Sequence, residues 1–227
     1  MKNKNLFLIA IMFMFGLSAM SQTEGITFGL KGGINFQNIN GKDPNDDKLK
    51  FDMVTRFNAG VVVDIPVAPE FYFEPGLLYT TKGAKSTGNF LGANTSGEYN
   101  ISYLELPLNL LYKPVLGKGH LLVGFGPYMA YGLGGKAKFQ IGNTSSEENI
   151  VFANKFSSIY SYGQYFKHLD FGGNLFFGYE LSNGISMQLS TQLGMARINA
   201  DNTNPLHEND KTSFKNTGFG LTLGYMF

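Results

Sequence analysis

Three histidines, one carboxylate and several loop serines are the residues whose types alone would permit chemistry. His168, His207 and Asp170, with a loop serine, permit a nucleophile–base–acid triad for hydrolysis or acyl transfer. None of the three histidines, including His120, has a second histidine at metal-ligand spacing, and the chain contains no cysteine. The acidic run over residues 43–47 lacks the turn glycine and the final glutamate of a calcium loop. We therefore expect no metal, no cofactor and no catalytic residue, with the triad kept as an alternative.

Nine charged residues form a second candidate group, because each stands at a polar position within an alternating segment. They are near electrical balance, with four basic and five acidic side chains. Buried charges without partners are costly, so a closed interior would require them to pair. We predict that they form a charge network inside a lumen: Lys31, Arg56, Asp64, Glu74, Lys82, Glu105, Lys113, Asp170 and Glu180.

The elements that must position these charges are β-strands. Between residues 56 and 65, Phe57, Val61 and Ile65 stand at odd positions, whereas Arg56 and Asp64 stand at even positions. This period of two is typical of a strand whose two faces meet different surroundings. The same pattern predicts eight strands, over residues 25–35, 56–65, 71–82, 103–112, 120–133, 169–181, 185–195 and 217–227.

The connections between these strands alternate between long and short. Long links are predicted over residues 36–55, 83–99, 134–166 and 196–216, and short ones over 66–70, 114–119 and 182–184. The last short link contains Asn183-Gly184, a dipeptide typical of tight hairpins. An up-and-down meander places all long links at one end, as outer-membrane barrels place extracellular loops and periplasmic turns. We predict an all-β, eight-stranded antiparallel up-and-down transmembrane β-barrel.

Composition and charge exclude several classes of function. Charged residues make up 15% of the chain and hydrophobic residues 43%, which leaves little surface suited to water. Eighteen basic residues against seventeen acidic ones leave a net charge of +1, so no polybasic surface is available for a nucleic-acid backbone. The absence of cysteine excludes disulfides and thiol catalysis. We expect no nucleic-acid partner.

The first 21 residues are typical of a secretory signal peptide. Lys2 and Lys4 precede an apolar run over residues 6–17, which is too short to cross a bilayer as a helix. Ala19 and Ser21 provide small residues at a cleavage point before Gln22. We predict a signal peptide over residues 1–21 and an exported barrel domain over residues 22–227 in the outer membrane.

The chemistry of the polar face decides which face meets water. Alternation alone fits both a soluble, lipocalin-like barrel with an apolar interior and a membrane barrel with an apolar exterior. The polar face is rich in Gly, Ser, Asn, Gln and Thr rather than in the Lys and Glu of a solvated surface. Eight strands enclose a lumen just wide enough for side chains to fill. We therefore predict a polar interior and an apolar exterior in contact with outer-membrane lipid.

The last strand ends on alternating apolar residues, Leu223, Tyr225 and Phe227. This ending is similar to the terminal signature that the outer-membrane assembly machinery recognises. Thr222 stands where that signature often has glycine. We expect these three residues to act as a C-terminal assembly signal.

Three segments within the predicted strands carry a resemblance to a known family. Residues 73–82 (FEPGLLYTTK), 103–107 (YLELP) and 126–131 (GPYMAY) resemble recurrent strand motifs of PorT-type outer-membrane β-barrel proteins. The resemblance implies an eight-stranded barrel in the outer membrane. One namesake of the family takes part in protein secretion, whereas most relatives have no assigned task.

The longest predicted loop is rich in aromatic residues, which recur in binding surfaces because they bury a large area at low entropic cost. A hairpin whose aromatic side chains pack on one another would have the same composition. We expect a non-enzymatic protein that presents its loops to an unidentified protein or ligand, or that supports an envelope assembly. A small transport pore and a rim-located acyl-transfer or hydrolytic enzyme are the alternatives. The candidate contact residues are Phe152, Phe156, Tyr160, Tyr162 and Tyr165.

Overall fold

The computed structural model describes residues 25–43, 46–90, 93–157, 164–205 and 211–227. The predicted signal peptide therefore lies outside the described residues, as do Tyr160, Tyr162 and His207. No helix long and apolar enough to cross a membrane occurs within these described ranges.

Eight long strands dominate this part of the chain. They are β1 (Thr27–Lys42), β2 (Val54–Ala68), β3 (Phe71–Phe90), β4 (Ala93–Tyr112), β5 (Gly119–Ile141), β6 (Leu169–Leu181), β7 (Ile185–Gly194) and β8 (Ser213–Met226). Shorter strands lie in the connections, at Lys48–Leu49, Val115–Leu116, Thr144–Asn149, Val151–Phe152, Lys155–Phe156, Tyr165–Phe166 and Asp201–Asn202.

The eight long strands close into a barrel. Consecutive strands pair antiparallel, and β8 returns to β1, where Ile34 lies opposite Leu221. β5 and β6 also pair, with Phe125 opposite Leu175, so every long strand has a neighbour on both sides. Closure pairs the backbone groups that an open sheet edge would expose. The predicted eight-stranded up-and-down β-barrel is confirmed.

Side chains alternate between an apolar outer face and a largely polar inner face. Leu30 is 51% exposed and Leu175 is 53% exposed, whereas Asn35 and Gln188 are buried. On β4 the outward apolar positions run over residues 104–112. At a rise of about 3.3 Å per residue and a tilt of about 40°, that stretch covers about 20 Å along the barrel axis. This height is close to the apolar band of about 25 Å in transmembrane barrels.

One end of the barrel, here named the turn end, carries tight turns at the positions predicted from the sequence. Residues 69–70 join β2 to β3, and residues 182–184 join β6 to β7. In the second turn Gly184 has a φ of +86°, and a Cβ there would lie 2.3 Å from the carbonyl oxygen of Met226. Glycine is therefore required at this position.

The opposite end, named the loop end, differs from the prediction. The sequence predicts a polar loop over residues 83–99, but β3 and β4 remain paired as far as Phe90 and Ala93. β5 likewise continues to Ile141 and pairs with the return strand Thr144–Asn149. These segments lie beyond the apolar band, and most of their outward side chains are polar, so the alternation disappears while the backbone pairing persists. We name β3, β4, β5 and the return strand in this region the loop-end sheet.

Candidate functional site

Two lysines near the turn end hold three carboxylates inside the lumen. Lys113 Nζ lies 3.1 Å from Asp64 Oδ2 and 2.9 Å from Glu180 Oε2. Lys31 Nζ donates a hydrogen bond to Glu74 Oε2 at 2.6 Å. These residues come from different strands or strand ends, and they meet because strand alternation points each side chain towards the barrel axis.

A third lysine, nearer the loop end, bridges two further carboxylates. Lys82 Nζ lies 2.8 Å from Glu105 Oε2 and 3.1 Å from Asp170 Oδ2. The ammonium also lies 4.1 Å from the ring centroid of Tyr128, and Asn216 donates to Asp170 Oδ2 at 2.9 Å. The side chains of Lys82 and Asp170 have 0% exposure. We name Lys82, Glu105 and Asp170 the Lys82 triad.

The structure thus places eight of the nine predicted lumen charges in ion pairs with one another, and Arg56 is the exception. Arg56 Nη2 donates instead to Glu98 Oε1 at 2.9 Å and to the carbonyl oxygen of Tyr99 at 3.0 Å. Both acceptors belong to the part of β4 that the sequence predicts as a loop. Because β4 extends past the apolar band, Arg56 finds its partner at the mouth of the barrel rather than in the central network.

Amide side chains connect the charge clusters, a feature not predicted from the sequence. Asn109 Nδ2 donates to Glu74 Oε1 at 3.2 Å, and Asn174 Nδ2 donates to Asn109 Oδ1 at 2.6 Å. Gln192 Nε2 donates to Glu105 Oε1 at 2.9 Å and lies 3.5 Å from Asn174 Oδ1. The available signal was the recurrence of Asn and Gln at polar strand positions, because buried amides require hydrogen-bond partners.

A cavity of about 100 Å³ lies within the lumen. Its wall includes Lys31, Glu74, Glu105 and several amide side chains, among them Gln37. At the roughly 30 Å³ that one water molecule occupies in the liquid, this volume corresponds to about three waters. Gln37 is 4% exposed, and within the described part of the chain its Oε1 has no hydrogen-bond partner. The cavity therefore offers a polar space with an available buried acceptor.

The interior changes from polar to apolar towards the loop end, so the expectation of a polar interior throughout is wrong there. Phe166 and Ile198, both from the connections, have 0% exposure and pack with inward residues of β4 such as Ile101. The connections fold back over the barrel mouth and bury their apolar side chains against the extended strands. We name this cluster the cap core: Ile39, Ala84, Tyr99, Ile101, Tyr103, Tyr128, Ala130, Ala137, Ile150, Phe166, Ile198 and Phe214.

The aromatic residues predicted as a loop contact surface pack largely on neighbouring rings. Phe152 stacks on His168 with ring centroids 4.7 Å apart and also packs against the cap core. Phe156 and Tyr165 stack on each other at 4.6 Å with their ring planes 2° apart. All three are half-buried, which fits the packed-hairpin alternative better than an open row of aromatics. The two remaining tyrosines of this group lie outside the described residues.

The candidate catalytic residues are not brought together. Asp170 is held within the Lys82 triad, whereas His168 Nδ1 lies 3.1 Å from the carbonyl oxygen of Gly132. The His168 ring also stacks on Tyr131 at 4.7 Å. His207 lies outside the described residues. In the portion of the chain that the structure covers, no group of three His, Cys, Asp or Glu side chains is arranged to hold a metal ion.

An exposed cluster of ion pairs joins the end of β5 to the return strand Thr144–Asn149, which together form a hairpin. Glu147 on the return strand contacts both Lys136 and Lys138 of β5, the latter at 3.3 Å. The hydrogen bond from Lys136, followed by that from Lys138, holds the pKa of Glu147 below its ordinary value of 4.5. Because all three side chains face solvent, we expect the cluster to favour the hairpin register rather than to add much stability.

The last two outward positions of β8 and the final residue lie on the apolar face. Leu223 is 58% exposed, Tyr225 is 44% exposed and Phe227 is 71% exposed. The rings of Tyr225 and Phe227 meet edge-to-face with centroids 5.1 Å apart. The aromatic pair stands at the turn end of the apolar band, where aromatic girdles occur in membrane barrels.

One protein family matches most of this chain. A family model described as outer membrane protein beta-barrel domain matches residues 20–200. Among solved structures, one similar protein is Ail, the attachment invasion locus protein of Yersinia pestis, in complex with the heparin analogue sucrose octasulfate. It is 12% identical to this chain with a TM-score of 0.39, and the match covers 89% of this chain and 99% of Ail. Neisserial surface protein A is 8% identical with a TM-score of 0.42, covering 90% of this chain and 100% of that one. The comparison with curated proteins finds no significant match.

Proposed function

Because the chain belongs to the outer membrane protein β-barrel domain family, we propose that it is a non-enzymatic outer-membrane anchor that presents extracellular loops to another macromolecule. In barrels of this kind the tight turns face the periplasm and the longer connections face the exterior. The loop end of this barrel is accordingly its extracellular end.

The loop-end sheet is the observation that carries this proposal. β3 and β4 stay paired up to Phe90 and Ala93, and β5 stays paired with the return strand up to Ile141 and Thr144. Every residue of the return strand Thr144–Asn149 is exposed. An ordered surface on a filled barrel suits binding, because little conformational entropy remains to be lost when a partner docks.

Within the family we assign the chain to the PorT type and propose that its loops support an envelope assembly such as a protein-secretion apparatus. The strand motifs over residues 73–82, 103–107 and 126–131 support this assignment. Cells lacking the protein should release less secreted protein into the medium, and complementation with the full chain should restore it. Unchanged secretion in the deletion strain would contradict this role.

We also propose that the outward apolar face contacts outer-membrane lipid and that Leu223, Tyr225 and Phe227 direct assembly. The exposure of Leu223 and Tyr225 on the last strand, and of Phe227 directly after it, supports this. Deleting Phe227 should lower the amount of folded barrel in the outer membrane while leaving refolding into detergent micelles unchanged. An equal loss in both settings would indicate a purely structural role.

Site-specific photocrosslinking in intact cells tests the loop proposal. A photoreactive residue in place of Ser145, on the exposed return strand, should form a discrete protein adduct. The same residue in place of Leu175, on the apolar outer face, is the matched control and should react with lipid. Shortening the hairpin over residues 138–147 should abolish binding of the crosslinked protein to the barrel, while the barrel itself stays folded. Identical products from both positions, or undiminished binding by the shortened hairpin, would refute the proposal.

A pore or an enzyme would give different results. The Lys82 triad and the cap core fill the lumen, so we expect no single-channel conductance from the purified protein in planar bilayers. Steady conductance would instead favour transport. A hydrolytic or acyl-transfer activity that His168→Ala abolishes would favour a rim enzyme.

A further inference from the structure

The buried lumen holds more carboxylates than lysines. Its ion pairs contain three lysines and five carboxylates, which leaves two negative charges in formal excess. Lys31 and Glu74 balance each other, whereas Lys82 and Lys113 each bridge two carboxylates. One negative charge is therefore in excess at each bridging lysine.

The two excess charges differ in their access to water. Around Lys113, the lysine side chain is 9% exposed and the Glu180 side chain is 10% exposed, while that of Asp64 is 2% exposed, so this cluster keeps partial contact with solvent at the turn end. In the Lys82 triad, the Lys82 and Asp170 side chains have 0% exposure and the Glu105 side chain 6%. The cap core separates the triad from the exterior. The charge in excess at the triad needs a counter-charge inside the lumen, because burying an uncompensated charge is costly.

The lumen cavity provides a space for that counter-charge. Glu105, a member of the triad, forms part of its wall, as do Gln37 and the mutually neutralised pair of Lys31 and Glu74. Gln37 is 4% exposed, and among the described residues its Oε1 accepts no hydrogen bond. A buried amide oxygen without a donor is rare in proteins, since such groups normally have a partner. Either a water molecule or a cation in the cavity would satisfy this acceptor, and the negative charge in excess at the triad favours the cation.

We propose that this cavity binds one monovalent alkali cation, such as sodium or potassium, with part of its hydration shell. Gln37 Oε1 and Glu105 are the protein groups that would attract it, and one cation would balance the Lys82 triad. The cavity of about 100 Å³ has space for a cation together with about two waters, at roughly 30 Å³ for each water. A divalent ion fits less well, because calcium and magnesium sites rely on several carboxylates free to coordinate, and both oxygens of Glu105 already have protein partners.

Thermal unfolding of the purified full barrel in detergent tests this proposal. At one fixed ionic strength, sodium or potassium chloride should raise the unfolding temperature relative to N-methyl-D-glucamine chloride, whose cation is too large for the cavity. The increase should grow with cation concentration, as expected for a ligand that binds the native state. ²³Na NMR line broadening should report the same binding directly.

Gln37→Leu should weaken sodium binding by about tenfold, as expected for the loss of one buried polar contact to a charge. Gln140→Leu, on the exposed part of β5, is the matched control and should bind sodium like the wild type. If Gln37→Leu fails to fold, Gln37→Glu provides a second variant that should bind sodium more tightly. Equal stability in all salts, or stabilisation by low pH with no dependence on the cation, would overturn the proposal, because protonation would then balance the charge.

Discussion

Lys82→Met is the substitution that should reveal most about the lumen. It removes the one cation between Glu105 and Asp170, which lie 2.8 Å and 3.1 Å from its ammonium group. Breaking a buried ion pair by removing one partner typically costs about 3–5 kcal/mol, because the remaining charge is left uncompensated. The loss of the contact with the Tyr128 ring, at 4.1 Å, acts in the same direction. We expect the free energy of unfolding to fall by about 3–5 kcal/mol.

The assay is urea unfolding of the barrel in lipid vesicles, followed by the difference in electrophoretic mobility between folded and unfolded chains. Adding Glu105→Gln and Asp170→Asn to Lys82→Met should recover most of the lost stability, because neutral polar groups replace the unpaired carboxylates. Lys48→Met, at an exposed loop position, is the control and should leave the urea midpoint unchanged. If Lys82→Met matches this control, or if the triple variant is no more stable than the single one, the reasoning is refuted.

Three further perturbations test other parts of the structure. Leu175→Arg places a charge on the apolar face and should cost about 2–4 kcal/mol in vesicles, whereas Leu49→Arg, outside the barrel wall, should have little effect; equal costs would contradict the outward orientation. Phe166→Ala should destabilise the cap core by about 3–5 kcal/mol, seen as faster amide exchange in the connections with the barrel strands still protected; unchanged exchange would count against the cap. The pKa of Glu147 is lowered in the folded state. Its ion pairs should therefore stabilise the hairpin at pH values above the ordinary pKa of 4.5, and this effect should be lost as the pH falls through the lowered pKa. A carboxyl NMR titration midpoint at or above 4.5 would contradict the contact with Lys136.

The part of the fold inside the apolar band could be predicted from the sequence. There, lipid on one side and a narrow lumen on the other impose opposite chemistry on alternate residues, so the pattern itself reports the strand. The predicted strand over residues 169–181 coincides with β6, Leu169–Leu181. Beyond the band the outward positions of β3 and β4 are polar, and the inward positions mix apolar residues of the cap core, such as Ala84 and Tyr99, with polar ones such as Ser86 and Thr95. The regular alternation is therefore lost, and the strand is mistaken for a loop.

The interior was less predictable than the strands. Parity indicates that Lys82 points inward, but it does not indicate which carboxylate lies at the same height, because that depends on the stagger between strands. Arg56 illustrates the limit: its partner Glu98 comes into reach only because β4 extends past the band. The cap core depends on connections that fold back over the mouth, and Phe166 shows no alternation with its neighbours that would have indicated its burial.

In the orientation proposed above, with the loop end outside the cell, the extension of β3 determines how far the protein reaches from the membrane. The strand continues from Tyr79, at the rim of the apolar band, to Phe90 at its end. Eleven further residues at about 3.3 Å each, tilted by about 40°, correspond to a height of about 28 Å. The headgroup layer on one side of a bilayer is only about 5–8 Å deep. A bulky reagent such as an antibody should therefore reach an epitope at the tip of this hairpin on living cells, whereas an epitope placed at Tyr79 should be shielded by the surrounding membrane.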